Sequence, residues 1–168
     1  MIDPAINLLV AIAFAALFAA AGLQKLRAPW MFIGTLAEYR IVPRALLWPA
    51  GAIVIALECA LTMGLLFGTT RAASALAGAG LLLIYGGAIA INLLRGRRDI
   101  DCGCGAERRR ISGWMVSRNV LLAAGLLTAS LPTAYRTIGW IDVATVSGGV
   151  VVLVLLYAAF DTLAPEYP

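Results

Sequence analysis

Residues 4–23 read PAINLLVAIAFAALFAAAGL, a run with one strongly polar side chain, Asn7, and no charge. A helix that crosses the hydrocarbon core of a bilayer needs about 20 apolar residues. The run therefore predicts a transmembrane helix at the start of the chain. Asp3 is a good N-cap and Pro4 suits the first helical position. No basic flank precedes the run, so it reads as a retained span rather than a cleaved signal.

Outward from this segment the same pattern recurs over residues 45–68, 72–94, 114–131 and 143–163. Pro49 falls in the first turns of the second span, where proline is best tolerated. Gly68-Thr69-Thr70-Arg71 reads as a tight turn between the second and third spans, and Asp142 as the N-cap of the last. Small residues suit close helix packing: Ala75 and Ala79, Gly78, Gly80, Gly86 and Gly87 in the third span, and Gly148-Gly149 in the fifth. Residues 28–43 are too short and mixed to span. They predict an amphipathic helix at the interface, with Pro29 at its start and Pro43 at its end. The expected fold is all-α: one polytopic membrane helix bundle over residues 1–168, with about five transmembrane helices (a four-helix core plus one) and that short interfacial helix.

Composition agrees. Of 168 residues, 62% are hydrophobic and 13% charged, against roughly 25% charged in soluble domains. Mean hydropathy is +0.92. These values exclude a disordered chain, a polar solenoid and an ordinary soluble enzyme. The net charge of +4 belongs to basic residues beside apolar runs, which anchor and orient membrane helices; no nucleic-acid module is present, and the lipid bilayer is the expected surroundings. If all five helices span, Lys25, Arg27, Arg40, Arg44 and six arginines between residues 95 and 110 share one face, whereas Arg71 and Arg136 share the other. The positive-inside rule places the richer face in the cytoplasm.

That face carries the strongest chemical signal. The polar connection 95–113 reads RGRRDIDCGCGAERRRISG. Cys102 and Cys104 are two residues apart, and an extended pair so spaced has Cα atoms near the upper limit of disulfide geometry, about 6.8 Å. Gly103 lets the chain bend and bring the sulfurs together. A strained, exposed disulfide is easily reduced, which suits a redox pair better than a staple. The arginines favour thiolates, while Asp99, Asp101 and Glu107 oppose them. Two thiolates also suit a thiophilic ion such as Cu(I). A four-ligand zinc site is not expected, since histidine is absent and only Cys59 remains.

Glu58 is the second candidate. It lies about thirteen residues into its span, roughly 20 Å from the cysteine-loop face at the helical rise. A carboxyl at that depth is by default a functional candidate, or else an interhelical anchor with Asn7 or Thr62 as partner. Neighbouring Cys59 reads as packing, although a thiol at this second depth also suits a relay of reducing equivalents. Lys25, Asn92, Arg118 and Asn119 form a third group near the loop face. Lys25 is expected to snorkel. Arg118 and Asn119 are expected to seat the cysteine loop, and the group suits a quinone carbonyl or a lipid phosphate. Trp30, Trp48 and Trp114 read as an interfacial belt.

The segment INLLRGRRDIDCGCG from Ile91, then Ile111, Ser112, Trp114 and the pair Arg118-Asn119, resembles the methylamine-utilisation protein MauE family, grouped with DoxX-like membrane proteins. AGLQKL at residues 21–26 and Glu58 resemble it too, so the likeness runs from about Ala21 to Leu122. Arg108-Arg109-Arg110 fits no pattern of that family. The resemblance implies a multi-pass bacterial inner-membrane protein and a part in thiol–disulfide chemistry during maturation of an exported redox protein, with a thioredoxin-like partner. Carried over, Cys102 and Cys104 are the redox pair, and Arg118 and Asn119 match motif positions without an assigned role. A role on exported proteins favours the outer face for the loop, against the charge count. The expected activity is thiol–disulfide exchange, with no cofactor evident and a quinone compatible with it. The rivals are a permease for a thiophilic metal or small molecule, with Glu58 lining the path, and a non-catalytic scaffold subunit.

Overall fold

The computed structural model describes residues 1–97 and 111–163, the last four of these without their side chains. The described residues form six α-helices: α1 (Pro4–Arg27), α2 (Pro29–Tyr39), α3 (Leu47–Leu66), α4 (Gly68–Leu94), α5 (Gly113–Leu127) and α6 (Trp140–Leu163). Single 3-10 turns precede α3 (Arg44–Leu46) and follow α5 (Thr128–Ser130). The protein is an all-α membrane helix bundle. Helices α1, α4, α6 and α3 with its leading turn are long and apolar enough to cross a membrane. These are four among the described residues, against the five expected; α5 has 15 residues and is not among them, and with its 3-10 turn it rises about 28 Å.

Local chemistry fixes the helix ends. The Asp3 carboxylate accepts from Ala5 N at 2.8 Å, capping α1 with Pro4 at its first turn. Helix α2 starts at Pro29 and ends where Arg40 turns left-handed, φ 49°. No four-residue turn separates α3 from α4, because α4 begins at Gly68 and only Phe67 intervenes. Side chains from the first turn of α4 satisfy the last carbonyls of α3: Thr70 donates to Gly64 O and Arg71 to Leu65 O. The last helix starts at Trp140, earlier than residue 143. Asp142 therefore sits in its first turn and accepts from Gly139 N at 2.8 Å, the return half of a capping box.

One end of the bundle gathers the start of α1, the α3–α4 reversal and the end of α5. Asn7 donates to Ala129 O and accepts from Arg71, and Ile2 bridges to Thr133. The ends of α1 and α4 and the start of α5 consequently share the opposite end. The buried stripe of α1 is Asn7, Ala11, Ala15, Phe18, Gly22 and Lys25, the spacing of one helical face. It packs against α3, and α4 packs on α5 through Ala75, Ala79, Leu82, Ala123 and Leu126. Gly78 is needed for this closeness, since a Cβ there would stand 2.8 Å from Leu126 and 3.0 Å from Phe18. Gly80, Gly87 and Gly148 face open space, contrary to the expectation that they mediate contacts, whereas Gly149 admits Leu9. Helix α6 packs chiefly along α1 and is otherwise exposed.

Candidate functional site: a buried ion pair at the head of an intramembrane cavity

At the loop end of the bundle the buried stripes turn polar. Lys25 is the last buried residue of α1, and Glu58 lies in the buried stripe of α3. The Lys25 ammonium donates to Glu58 Oε1 at 2.7 Å, with side chains 7% and 0% exposed. Tyr85 on α4 donates its hydroxyl to the same oxygen, also at 2.7 Å. The ammonium lies 5.3 Å from the Phe32 ring centre and 5.6 Å from that of Tyr85, both within cation–π range. One carboxylate oxygen thus ties α1, α3 and α4, and Phe32 brings in α2. Glu58 Oε2 is buried with no hydrogen-bond partner among the described residues.

Two expectations change. Lys25 does not snorkel; it turns inward, because an interior carboxylate offers more than the interface. The partners of the Glu58 carboxylate are Lys25 and Tyr85, not Asn7 or Thr62. Asn7 is engaged at the opposite end, and the Thr62 hydroxyl donates to the backbone carbonyl of Glu58.

The pair heads a cavity of about 600 Å³ between α1, α4, α5 and α6. Its walls are apolar along Phe14, Leu17, Leu121, Leu122, Leu153 and Val154. Its polar groups, Gln24, Lys25, Glu58, Tyr85, Arg118 and Asn119, come from the loop half of the bundle. Arg118 lies 5.8 Å from the Tyr157 ring centre, joining α5 to α6 across the gap. Asn119 donates to Met115 O at 2.8 Å, and its Cβ seats against Gly86. Trp114 lines the cavity as well, beyond a belt role.

The connection bearing the cysteines starts and ends at this head. Arg97 N donates to Asn92 O and Gly96 N to Leu93 O, with Gly96 at φ 72°. These bonds close α4 with a Schellman motif, for which glycine is the natural residue. The Arg97 guanidinium donates to Asn92 Oδ1 at 3.3 Å, so buried Asn92 holds the outgoing chain. On the return side Ile111 is buried against Tyr39, Ile89 and Met115. Cys102, Cys104 and Asp101 lie outside the described residues. Cys59 is a free thiol exposed on α3 and is not among the residues that line the cavity. Among the described residues no cluster of three or more potential metal-ligating side chains occurs.

The sequence reading missed Tyr85, Gln24 and Phe32. A tyrosine inside an apolar span was the available signal, since its hydroxyl must find a partner away from water.

Residues 3–132 match the family described as methylamine utilisation protein MauE. The chain belongs to the MauE family. The MauE protein of Paracoccus versutus is 40% identical over 164 residues, covering 96% of this chain and 88% of that one. That of Methylophilus methylotrophus is 32% identical over 165 residues, covering 96% and 87%. That of Paracoccus denitrificans is 36% identical over 138 residues, covering 80% and 74%. No solved structure matches the chain. The match to the MauE family takes in Lys25, Glu58, Tyr85, Arg118 and Asn119, as well as both loop cysteines.

Proposed function

We propose that this MauE-family chain is a thiol–disulfide exchange protein of the bacterial inner membrane, acting in methylamine utilisation. Cys102 and Cys104 are its working pair. A thiolate of a thioredoxin-like partner attacks the Cys102–Cys104 disulfide and releases one loop thiolate; the partner's second thiolate attacks the mixed disulfide and releases the other, so the partner is oxidised and the loop pair reduced. The exchange serves the maturation of an exported redox protein.

The observation that carries this reading is the placement of the polar cluster. The single connection with paired thiols leaves α4 through the Gly96 motif and rejoins at buried Ile111, at the bundle end where Lys25, Glu58, Tyr85 and Arg118 head the cavity. Buried charge at that position is expensive and marks function rather than packing.

The test is the redox state of the loop in membranes. Alkylation with an impermeant maleimide should label Cys102 and Cys104 only after reduction. By the charge rule it should do so in inverted rather than right-side-out vesicles. Cys102→Ser and Cys104→Ser should each abolish maturation, and one of them should trap a mixed disulfide with the partner. Full maturation in both serine variants would overturn the proposal.

A further inference from the structure

The cavity has a chemical shape of its own. Its long part is lined by apolar residues of α1, α5 and α6, and α6 packs chiefly along α1. Its polar groups lie toward one end. A volume of about 600 Å³ falls within the usual range of small-molecule sites, about 300–1,000 Å³. An occupant therefore has a compact polar head and an apolar tail.

The head can be specified further. Lys25 and Arg118 carry N–H donors along the cavity, which suit carbonyl oxygens. Glu58 Oε2 is an acceptor without a donor, and burying such an atom unsatisfied is costly. A phosphodiester or carboxylate head has no proton to give it and would bring a second negative charge beside the carboxylate. A hydroquinone has two hydroxyl donors, and its oxidised form has two carbonyl acceptors. Both forms find partners here.

We infer that the cavity between α1, α4, α5 and α6 binds a lipid-soluble quinone and its quinol, with the ring at Lys25, Glu58 and Tyr85. The inference rests on the thiol-exchange reading for the electrons' source and supplies their acceptor. The Cys102 and Cys104 thiols lose two electrons and two protons as the sulfurs join in a disulfide. The quinone takes both electrons and two protons to become the quinol, its two C=O groups becoming C–OH. Glu58 Oε2 accepts a hydrogen bond from one quinol hydroxyl, and the Lys25 ammonium, with N–H groups beyond the one on Glu58 Oε1, donates to a quinone carbonyl.

The test uses the full chain in phosphatidylcholine nanodiscs with a decyl-tailed benzoquinone. Trp114 lines the cavity, so binding should quench tryptophan fluorescence saturably, and Trp114→Phe should remove most of the quenching. Ala20→Phe fills the apolar wall at an exposed position and should weaken binding about tenfold or more while leaving the helical circular dichroism intact. Gly22→Ser places a hydroxyl near Oε2, which a Cβ there would approach to 3.8 Å, and should weaken the quinol more than the quinone. Absent or unsaturable quenching, or binding unmoved by Ala20→Phe, overturns the inference. Displacement of the probe by phosphatidylglycerol at equal mole fraction also overturns it and makes the cavity a lipid site. The two readings separate cleanly: the Cys102→Ser/Cys104→Ser protein should still bind the probe but no longer reduce it. Binding without reduction by the dithiol wild type would remove thiol exchange and leave the site.

Discussion

Removing the Lys25 ammonium should cost more than removing the whole ion pair. At 2.7 Å between Lys25 Nζ and Glu58 Oε1, the gross attraction is about 6 kcal/mol at an effective dielectric of 20. Most of this offsets the desolvation of two charges whose side chains are 7% and 0% exposed. Lys25→Met leaves the Glu58 carboxylate buried with the Tyr85 hydroxyl as its remaining donor. Such orphaned charges cost about 3–5 kcal/mol. Glu58→Gln leaves the ammonium facing two aromatic rings and an amide, and should cost a similar amount. The double variant Lys25→Met/Glu58→Gln buries no charge and should lose no more than about 2 kcal/mol, because well-packed neutral replacements of buried pairs are often near neutral. The coupling energy of the cycle should then exceed about 3 kcal/mol, more than a hundredfold in the unfolding constant. The assay is reversible unfolding in mixed micelles, followed by circular dichroism on all four proteins. Additive losses, with coupling below about 0.5 kcal/mol, would mean that the pair is solvated and that the buried-charge reasoning is wrong.

Other expectations concern single groups. Tyr85→Phe deletes a hydrogen bond to a charged oxygen and should destabilise by about 1.5–3 kcal/mol in the same unfolding assay; an unchanged midpoint would place the hydroxyl elsewhere. Gly96→Ala forces a Cβ into φ 72° and should cost about 1–2 kcal/mol, with faster amide exchange at Arg97 as the local readout. At the opposite end, the Arg136 guanidinium and then the Ala5 N–H hold the Asp3 carboxyl below the ordinary carboxylate value. A depressed value stabilises above the unfolded pKa and is lost as pH falls through the folded one. The gap in unfolding midpoint between wild type and Asp3→Asn, which keeps the cap, should therefore be full at pH 6 and close below about pH 3. A gap that persists in acid would refute the assignment.

Much of the bundle was legible because membrane helices announce themselves locally. Asp3 and Pro4 mark the start of α1, Pro29 marks α2, and the apolar runs find the four helices long enough to cross. What escaped depended on distant residues. Gln24 and Lys25 looked like the polar end of a span, yet α1 continues to Arg27 because Lys25 sits on the buried stripe and meets a carboxylate 33 positions away. The stripe Phe18, Gly22, Lys25 is visible in the sequence; its partner is not. Gly68 to Arg71 looked like a turn because glycine and threonines break helices, but Thr70 and Arg71 use their side chains to finish α3 instead. For the site, Glu58, Arg118 and Asn119 were singled out from polarity alone and do meet around one cavity. Asn92 belongs to the stem of the loop rather than to the cavity. Tyr85 was hidden among apolar neighbours, where its ring reads as core and its hydroxyl goes unnoticed.

The position of α6, laid along α1, sets the units in which this protein would meet the quinone inferred above. A quinone with an apolar tail reaches such a cavity from the lipid phase, where encounter is two-dimensional. Occupancy follows the mole fraction of the compound among the lipids, not its concentration in water. A weakly held compound that is abundant in the membrane can thus keep the cavity full. A water-soluble analogue with equal affinity for the polar head would leave it empty. Changes in lipid composition become, for such a protein, changes in substrate supply.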